Sequence, residues 1–337
     1  MKRLKKRLIK NMQAFSFLFF FLFTFGCSGK EVHGELNSDL EIIRFDESLY
    51  SFLIQNATEE TVLHHKTFLR EYGEKVIYIG NPDSVGFFQR LKTFFSEPTL
   101  MKLYEDEQAK FQDISEINQE LSSGMEILLT NFPLLKQPKI YMHVSGFNQN
   151  IIVTDEIVSI SADKYLGADY PLYQKFFFDY QRQLMSPNRI VPDCLIGFMM
   201  ANLPFKGNDD ILLDKILYEG KLRYILSQLI PNREDWEYVG YDKEQYAWCS
   251  THQSLIWKSI LENQHLFNPN YMITSQYVKE APYTASLPTE SPGRVGIWLG
   301  YQIIVSYMKN HPATSLSELM DMTNYQELLK RAKYKTH

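Results

Sequence analysis

Apolar positions along the chain follow a helical period first, a strand period briefly, and a helical period again to the end. In Glu59–Gly73, "EETVLHHKTFLREYG", Val62, Phe68 and Leu69 stand near helical spacing and Gly73 offers a stop. "KVIYIG" (75–80) reads as a short strand, and "DSVGFFQRLKTFF" and "EPTLMKLYEDEQAKF" as helices, the second with Pro98 in its first turn. In "DISEINQELSSGMEILLTNFP", Ile114, Ile117, Leu121 and Met125 share one helical face, and the pattern stops before Pro133. Three β-rich runs then follow at 139–146, 150–155 and 156–166, separated by polar turns such as "FNQN". They predict a small antiparallel sheet within residues 139–165.

After the sheet the pattern is helical through "YPLYQKFFFDYQRQLM", "NRIVPDCLIGFMM", "DDILLDKILYEGKLRYILSQL" and "DKEQYAWCSTHQSLIWKSILENQHLF". "SPGRVGIWLGYQIIVSYMKNHP" is expected to start with Ser291 as N-cap and Pro292 at the first helical position. Shorter helices close the chain. The expected class is α+β and mainly helical, with the small sheet followed by a helical lobe. Residues 42–337 are read as one domain.

The N-terminus has a different character. "MKRLKKRLIK" holds six basic residues and no acid, and Ala14–Phe25 is twelve residues with seven Phe and no charge. A basic region followed by a short apolar core is a secretory signal, and twelve residues fall short of the roughly twenty a spanning helix needs. Residues 1–26 are therefore read as a lipoprotein signal peptide, Cys27 as the lipid-attachment residue and 27–41 as a polar tether. The formal net charge of the chain is −5 at pH 7. Removing the leader would make the body more acidic still, which argues against a nucleic-acid partner. Cys194 and Cys249 are read as buried free thiols, and the histidines show no zinc-site spacing.

"NRIVPDCLIGFMM" has the apolar frame of the zinc-protease helix that carries His-Glu-x-x-His. There the histidines at i and i+4 bind zinc and the glutamate activates water. Here Pro192 and Asp193 stand where the first His and the Glu would be, and Ile196 where the second His would be. Glu219 follows in "EGKLRY", which resembles the "EGLAEY" segment that supplies the third zinc ligand in gluzincins. The scaffold is thus similar to a gluzincin's, without the metal site. No metal or cofactor is expected, and no catalytic residue is assigned. The plainer expectation makes Asp193 a first-turn acid favoured by the helix dipole and pairs Glu219 with Arg223 one turn on. A residual metal-independent hydrolase and a periplasmic peptide-binding module are the alternatives.

Cys27 with its leader, "IIRFDESLY", "FFFDYQRQLMSPNRIVPDCL" and above all "SPGRVGIWLGYQIIVSYMKNHP" together resemble the gliding-motility lipoprotein GldB family of the Bacteroidetes. The resemblance implies an envelope lipoprotein that works with other proteins of the gliding machinery and of the linked type IX secretion system. Its partners would be those proteins and the membrane, through the lipid. It would face the periplasm, on the outer rather than the inner membrane. Arg294, in the first turn of its helix, opposes the helix dipole and is expected to pair with Glu219 or Asp193.

Overall fold

The computed structural model describes residues 40–335. The leader, Cys27 and all but the end of the expected tether lie outside the described residues. Strand β1 (Ile42–Arg44) opens the described body and leads into α1 (Phe45–Ile54), α2 (Glu59–Leu63) and α3 (Lys66–Glu71). After an irregular stretch come α4 (Phe87–Phe94), α5 (Pro98–Lys110) and α6 (Ser115–Asn131). Strands β2 (Lys139–His143), β3 (Ile151–Val153) and β4 (Ile157–Ser161) follow. Two single-turn helices, α7 (Tyr173–Phe176) and α8 (Asp179–Arg182), then precede α9 (Ile190–Asn202) and α10 (Leu212–Leu229). The C-terminal part holds α11 (Asp235–Val239), α12 (Lys243–Thr251), α13 (Gln253–Glu262), α14 (Tyr271–Val278), α15 (Val295–Asn310), α16 (Leu316–Asp321) and α17 (Tyr325–Ala332).

The sheet is mixed, which corrects the expected antiparallel arrangement. Its order is β1-β2-β4-β3, with β1–β2 and β2–β4 parallel and only β3–β4 antiparallel. A hairpin pattern is local and visible in sequence. The pairing of β1 with a strand almost a hundred residues later is not. Helices cover both faces of the sheet. Ile140, Met142, Val158 and Ile160 face the larger core, while Tyr141, Val144 and Ile157 face a second core built on α1–α4. That double coverage explains why β4 is buried along its whole length.

Several local expectations change for identifiable reasons. "KVIYIG" is no strand. The Gly73 carbonyl accepts from both Ile79 N (2.8 Å) and Gly80 N (3.1 Å), and Tyr72–Val76 forms a π-turn instead. The side chain of Tyr72 donates to the Val144 carbonyl (2.6 Å), pinning this turn to the end of β2. The long helix expected at 242–267 breaks at His252 into α12 and α13. Only α7 and α8 form within 170–185. Helix α15 starts at Val295, not Pro292: Arg294 adopts φ 59°, and Ser291 Oγ accepts from Thr284 N instead of capping.

Helices α10 and α15 cross at backbone contact. A methyl group on Gly220 would lie 2.3 Å from the Gly300 carbonyl, and one on Gly300 would lie 1.8 Å from the Ile216 carbonyl. Only glycine fits at either place, so the two helices approach more closely than side chains normally allow. The residue before this crossing is Glu219.

Candidate functional site

The residues singled out in the sequence gather beside that crossing. Asp193 lies in the first turn of α9, as its place after Pro192 suggests. Its carboxylate accepts from Arg189 Nη2 (2.5 Å), one turn earlier, and from the Tyr165 hydroxyl (3.2 Å). Glu219 Oε2 stands 3.2 Å from Arg223 Nη1, one turn on, and both side chains are 9% exposed. Ile196 is buried in the larger core and Pro192 is buried in the first turn of α9, and neither brings a donor atom. Among the described residues no group of three or more His, Cys, Asp or Glu side chains is placed to share a metal ion. Cys194 and Cys249 are free and buried, and burial pushes the Cys194 thiol up to about 12.

Arg294 does not pair with Glu219 or Asp193, which corrects that expectation. Each acid is already held by an arginine four residues away, Asp193 by Arg189 just before α9 and Glu219 by Arg223 within α10. The left-handed turn at Arg294 carries its guanidinium to α11 and α12, where Nη2 donates to the Gly240 carbonyl (2.8 Å) and the group lies 5.8 Å from the Tyr241 ring. The acids and arginines still form one electrostatic cluster. Burial lowers the pKa of Arg223; Glu219 raises it, and the neighbouring Arg294 and Arg189 lower it further. Three guanidinium groups therefore share two carboxylates. Two of their nitrogens, Arg189 Nε and Arg223 Nη1, are buried with no hydrogen-bond partner. Nη1 is near enough to Glu219 for an ion pair but off the hydrogen-bonding direction.

Arg189 was missed in the sequence although it lies in the quoted stretch. The signal was available, since Arg189 and Asp193 stand at i and i+4. Gly240, at the C-terminal end of α11, was also missed. At φ 70° it sits between two guanidinium groups: a methyl on it would lie 3.1 Å from Arg294 Nη2 and 3.5 Å from Arg189 Cζ.

A family model described as gliding motility protein GldB matches residues 28–336. The chain belongs to the GldB family. No curated protein and no solved structure matches it. The likeness to zinc-peptidase scaffolds therefore rests on the sequence stretches alone. Membership of the GldB family associates the chain with gliding motility as a cell-envelope lipoprotein. Among the described residues no helix is long and apolar enough to cross a membrane.

A second polar cluster of this GldB-family chain lies under α5, in the other core. Asp46 receives Arg44 (2.6 Å) and Gln108 (2.9 Å), and Gln108 also donates to Glu107 Oε2 (2.9 Å). Glu107 Oε1 is buried with no partner. Burial and the Asp46 charge hold the Glu107 carboxyl well above the usual carboxylate range. Asp163 accepts from the backbone of Ser145 (2.9 Å) and Phe147 (2.8 Å), tying the 145–147 turn to the end of β4. His143 is buried beside the rings of Phe68 and Tyr72 with neither ring nitrogen bonded, and burial drops its pKa to about 3.

Proposed function

We propose that this GldB-family chain is a lipid-anchored envelope protein that acts by binding other proteins of the gliding and secretion machinery, without catalysis. The lipid sits on Cys27 and holds the body against the periplasmic side of the outer membrane. The observation that carries the non-catalytic part is the pairing of Asp193 with Arg189 and of Glu219 with Arg223. A carboxylate that must take or give a proton needs a face free to reach the group it serves. Glu219 is engaged in a buried ion pair and Asp193 in a part-buried one, and the ligand positions around them hold Pro192 and Ile196. The family match supplies the motility association.

The test is purification of the full-length lipidated chain from its own membranes in mild detergent. The expected result is retention of one or more envelope proteins in fixed ratio, with zinc far below one ion per chain. One zinc per chain, with peptide hydrolysis abolished by a chelator, would overturn the non-catalytic reading. Bound peptide in place of any envelope protein would favour a peptide-binding module.

A further inference from the structure

The 145–147 turn that Asp163 ties to β4 holds two successive left-handed residues, Gly146 at φ 67° and Phe147 at φ 71°. Glycine adopts that conformation freely. A phenylalanine does not, and it persists there only where its surroundings hold it. Asp163 supplies the hold by accepting from Phe147 N (2.8 Å). The turn sets the Phe147 ring against Tyr173, Phe176 and Phe177, with centroids 5.4 Å, 5.9 Å and 5.5 Å away. Phe147, Phe176 and Phe177 line an open cavity of about 650 Å³, together with Leu100 and Leu103 of α5.

Polar side chains in this wall are committed to their own chain. Glu97 caps α5 by accepting from Leu100 N (2.7 Å), and Asn148 Nδ2 donates to the Val76 carbonyl (3.1 Å). What remains for an occupant is apolar surface. Beside it, the run Phe176-Phe177-Phe178 leaves Phe176 61% and Phe178 71% exposed. Two large rings displayed together beside an apolar cavity mark an interaction site rather than scattered surface residues. Lys175 is exposed, and among the described residues no hydrogen bond or ion pair engages its Nζ. Within residues 171–182, Lys175 and Arg182 outweigh Asp179 by one charge, on a chain whose formal net charge is −5.

We propose that this face docks on a lipid bilayer, with the Phe176 and Phe178 rings at the boundary of headgroups and acyl chains and the cavity taking part of one acyl chain. A protein partner would bring polar groups that need answering ones, and Glu97 and Asn148 are already engaged. An acyl chain brings none. Rings without a polar tip beside an unpaired lysine suit the bilayer interface, where the rings bury and the ammonium reaches back to the phosphates. The local positive balance lets this face approach anionic lipid, which repels the acidic body as a whole. The docking rests on the proposed lipid at Cys27, which brings the body to the bilayer, and the tether permits this orientation. By way of the β1–β2 register, Leu40 lies at most roughly 37 Å from Phe147. The thirteen steps from Cys27 to Leu40 span up to roughly 45 Å when extended.

Spin labelling of the full-length lipidated protein tests this, after reconstitution into vesicles of phosphatidylethanolamine and phosphatidylglycerol. A nitroxide is attached at Phe178→Cys or, as a control, at Leu134→Cys, a position before β2 whose side chain is 95% exposed. Cys194 and Cys249 are buried and take no label. With no other protein present, the Phe178→Cys label should collide with oxygen severalfold more often than with a water-soluble nickel chelate, and the Leu134→Cys label should do the reverse. Adding Phe176→Asp should return the Phe178→Cys label to water with little change in unfolding temperature, because Phe176 is largely exposed. A Phe178→Cys label as open to the chelate as the Leu134→Cys label, or one still deep after Phe176→Asp, overturns the proposal. So does a Phe178→Cys label that lies in water on the vesicles but is shielded in native membranes, which assigns the face to a protein. Acyl mass on the Cys27 peptide with the Phe178→Cys label in water defeats the docking and leaves the lipid anchor standing. A deep label without the acyl mass does the reverse.

Discussion

At the residue scale, the excess of guanidinium over carboxylate groups beside the α10–α15 crossing makes an asymmetric prediction. Removing one partner of a buried ion pair generally costs about 3–5 kcal/mol, because the other charge is left uncompensated. Here the two partners are not equivalent. Glu219→Gln leaves three arginines facing Asp193 alone. Arg223→Met leaves two arginines facing two acids. Denaturant unfolding should therefore show the larger loss for Glu219→Gln, and a double variant with both residues apolar should recover part of it. An Arg223→Met protein as destabilised as Glu219→Gln would remove the charge-surplus account. His143 gives a second prediction. Burial lowers its folded pKa to about 3, from an ordinary value of 6.5. The unfolded chain thus binds the proton first, and the stability present above pH 6.5 is lost as pH falls toward 3. The buried carboxyls of Asp46, Glu107 and Asp163 are shifted upward, so they act in the opposite direction, costing stability as pH rises above the usual carboxylate range. The difference between His143→Phe and wild type isolates the histidine. Wild type should lose more thermal stability than the variant between pH 6.5 and pH 4, and parallel curves would mean His143 finds a partner in solution.

At the element scale, the glycine contact between α10 and α15 sets the geometry of the core around Glu219. Glycine inside a helix costs roughly 0.5–1 kcal/mol relative to alanine. An exposed Gly→Ala change would therefore be stabilising. At Gly220 and Gly300 the added methyl meets backbone atoms at 2.3 Å and 1.8 Å, and a backbone cannot rotate aside as a side chain can. Gly220→Ala and Gly300→Ala should each cost at least about 3 kcal/mol, the upper part of the overpacking range. A melting temperature raised by either change would show that the helices can separate without loss. This contact also marks the limit of what the sequence made legible. The body of α10 and α15 was readable, because each is long and apolar on most sides, and so were α6 and the hairpin of β3 and β4. The crossing was not, since a glycine in a helix looks the same whether it faces solvent or another backbone. The parallel register of β1 was hidden for a related reason: its partner is remote in the chain. Near Arg294 the apolar pattern of the helix was right, but its start was misjudged because the left-handed turn depends on Gly293 lying against the Ala281 backbone. The pairing of Glu219 with Arg223 was legible because it is local.

At the scale of the whole molecule, no helix among the described residues is long and apolar enough to cross a membrane. The proposed function assigns attachment to the N-terminal segment, where Cys27 is the residue expected to carry the lipid. Thirteen peptide steps separate Cys27 from Leu40. Fully extended, they reach at most roughly 45 Å, at 3.3–3.6 Å per residue. With a lipid on Cys27, as proposed, a segment of that length would keep the body close to the bilayer and raise its effective concentration toward membrane-held partners. The contacts themselves would be made by the folded surface. Removing the lipid should accordingly leave the fold intact and weaken assembly. Cys27→Ala should yield a chain whose N-terminal peptide lacks the acyl mass, whose melting temperature matches the wild-type body, and whose envelope partner is no longer retained at fixed ratio. Mass spectrometry of that peptide, thermal unfolding and quantitative co-purification measure the three quantities. If the acyl mass disappears while partner retention is unchanged, the affinity resides wholly in the body and the tether contributes only location. If acylation persists in Cys27→Ala, the lipid is attached elsewhere and the assignment of Cys27 fails.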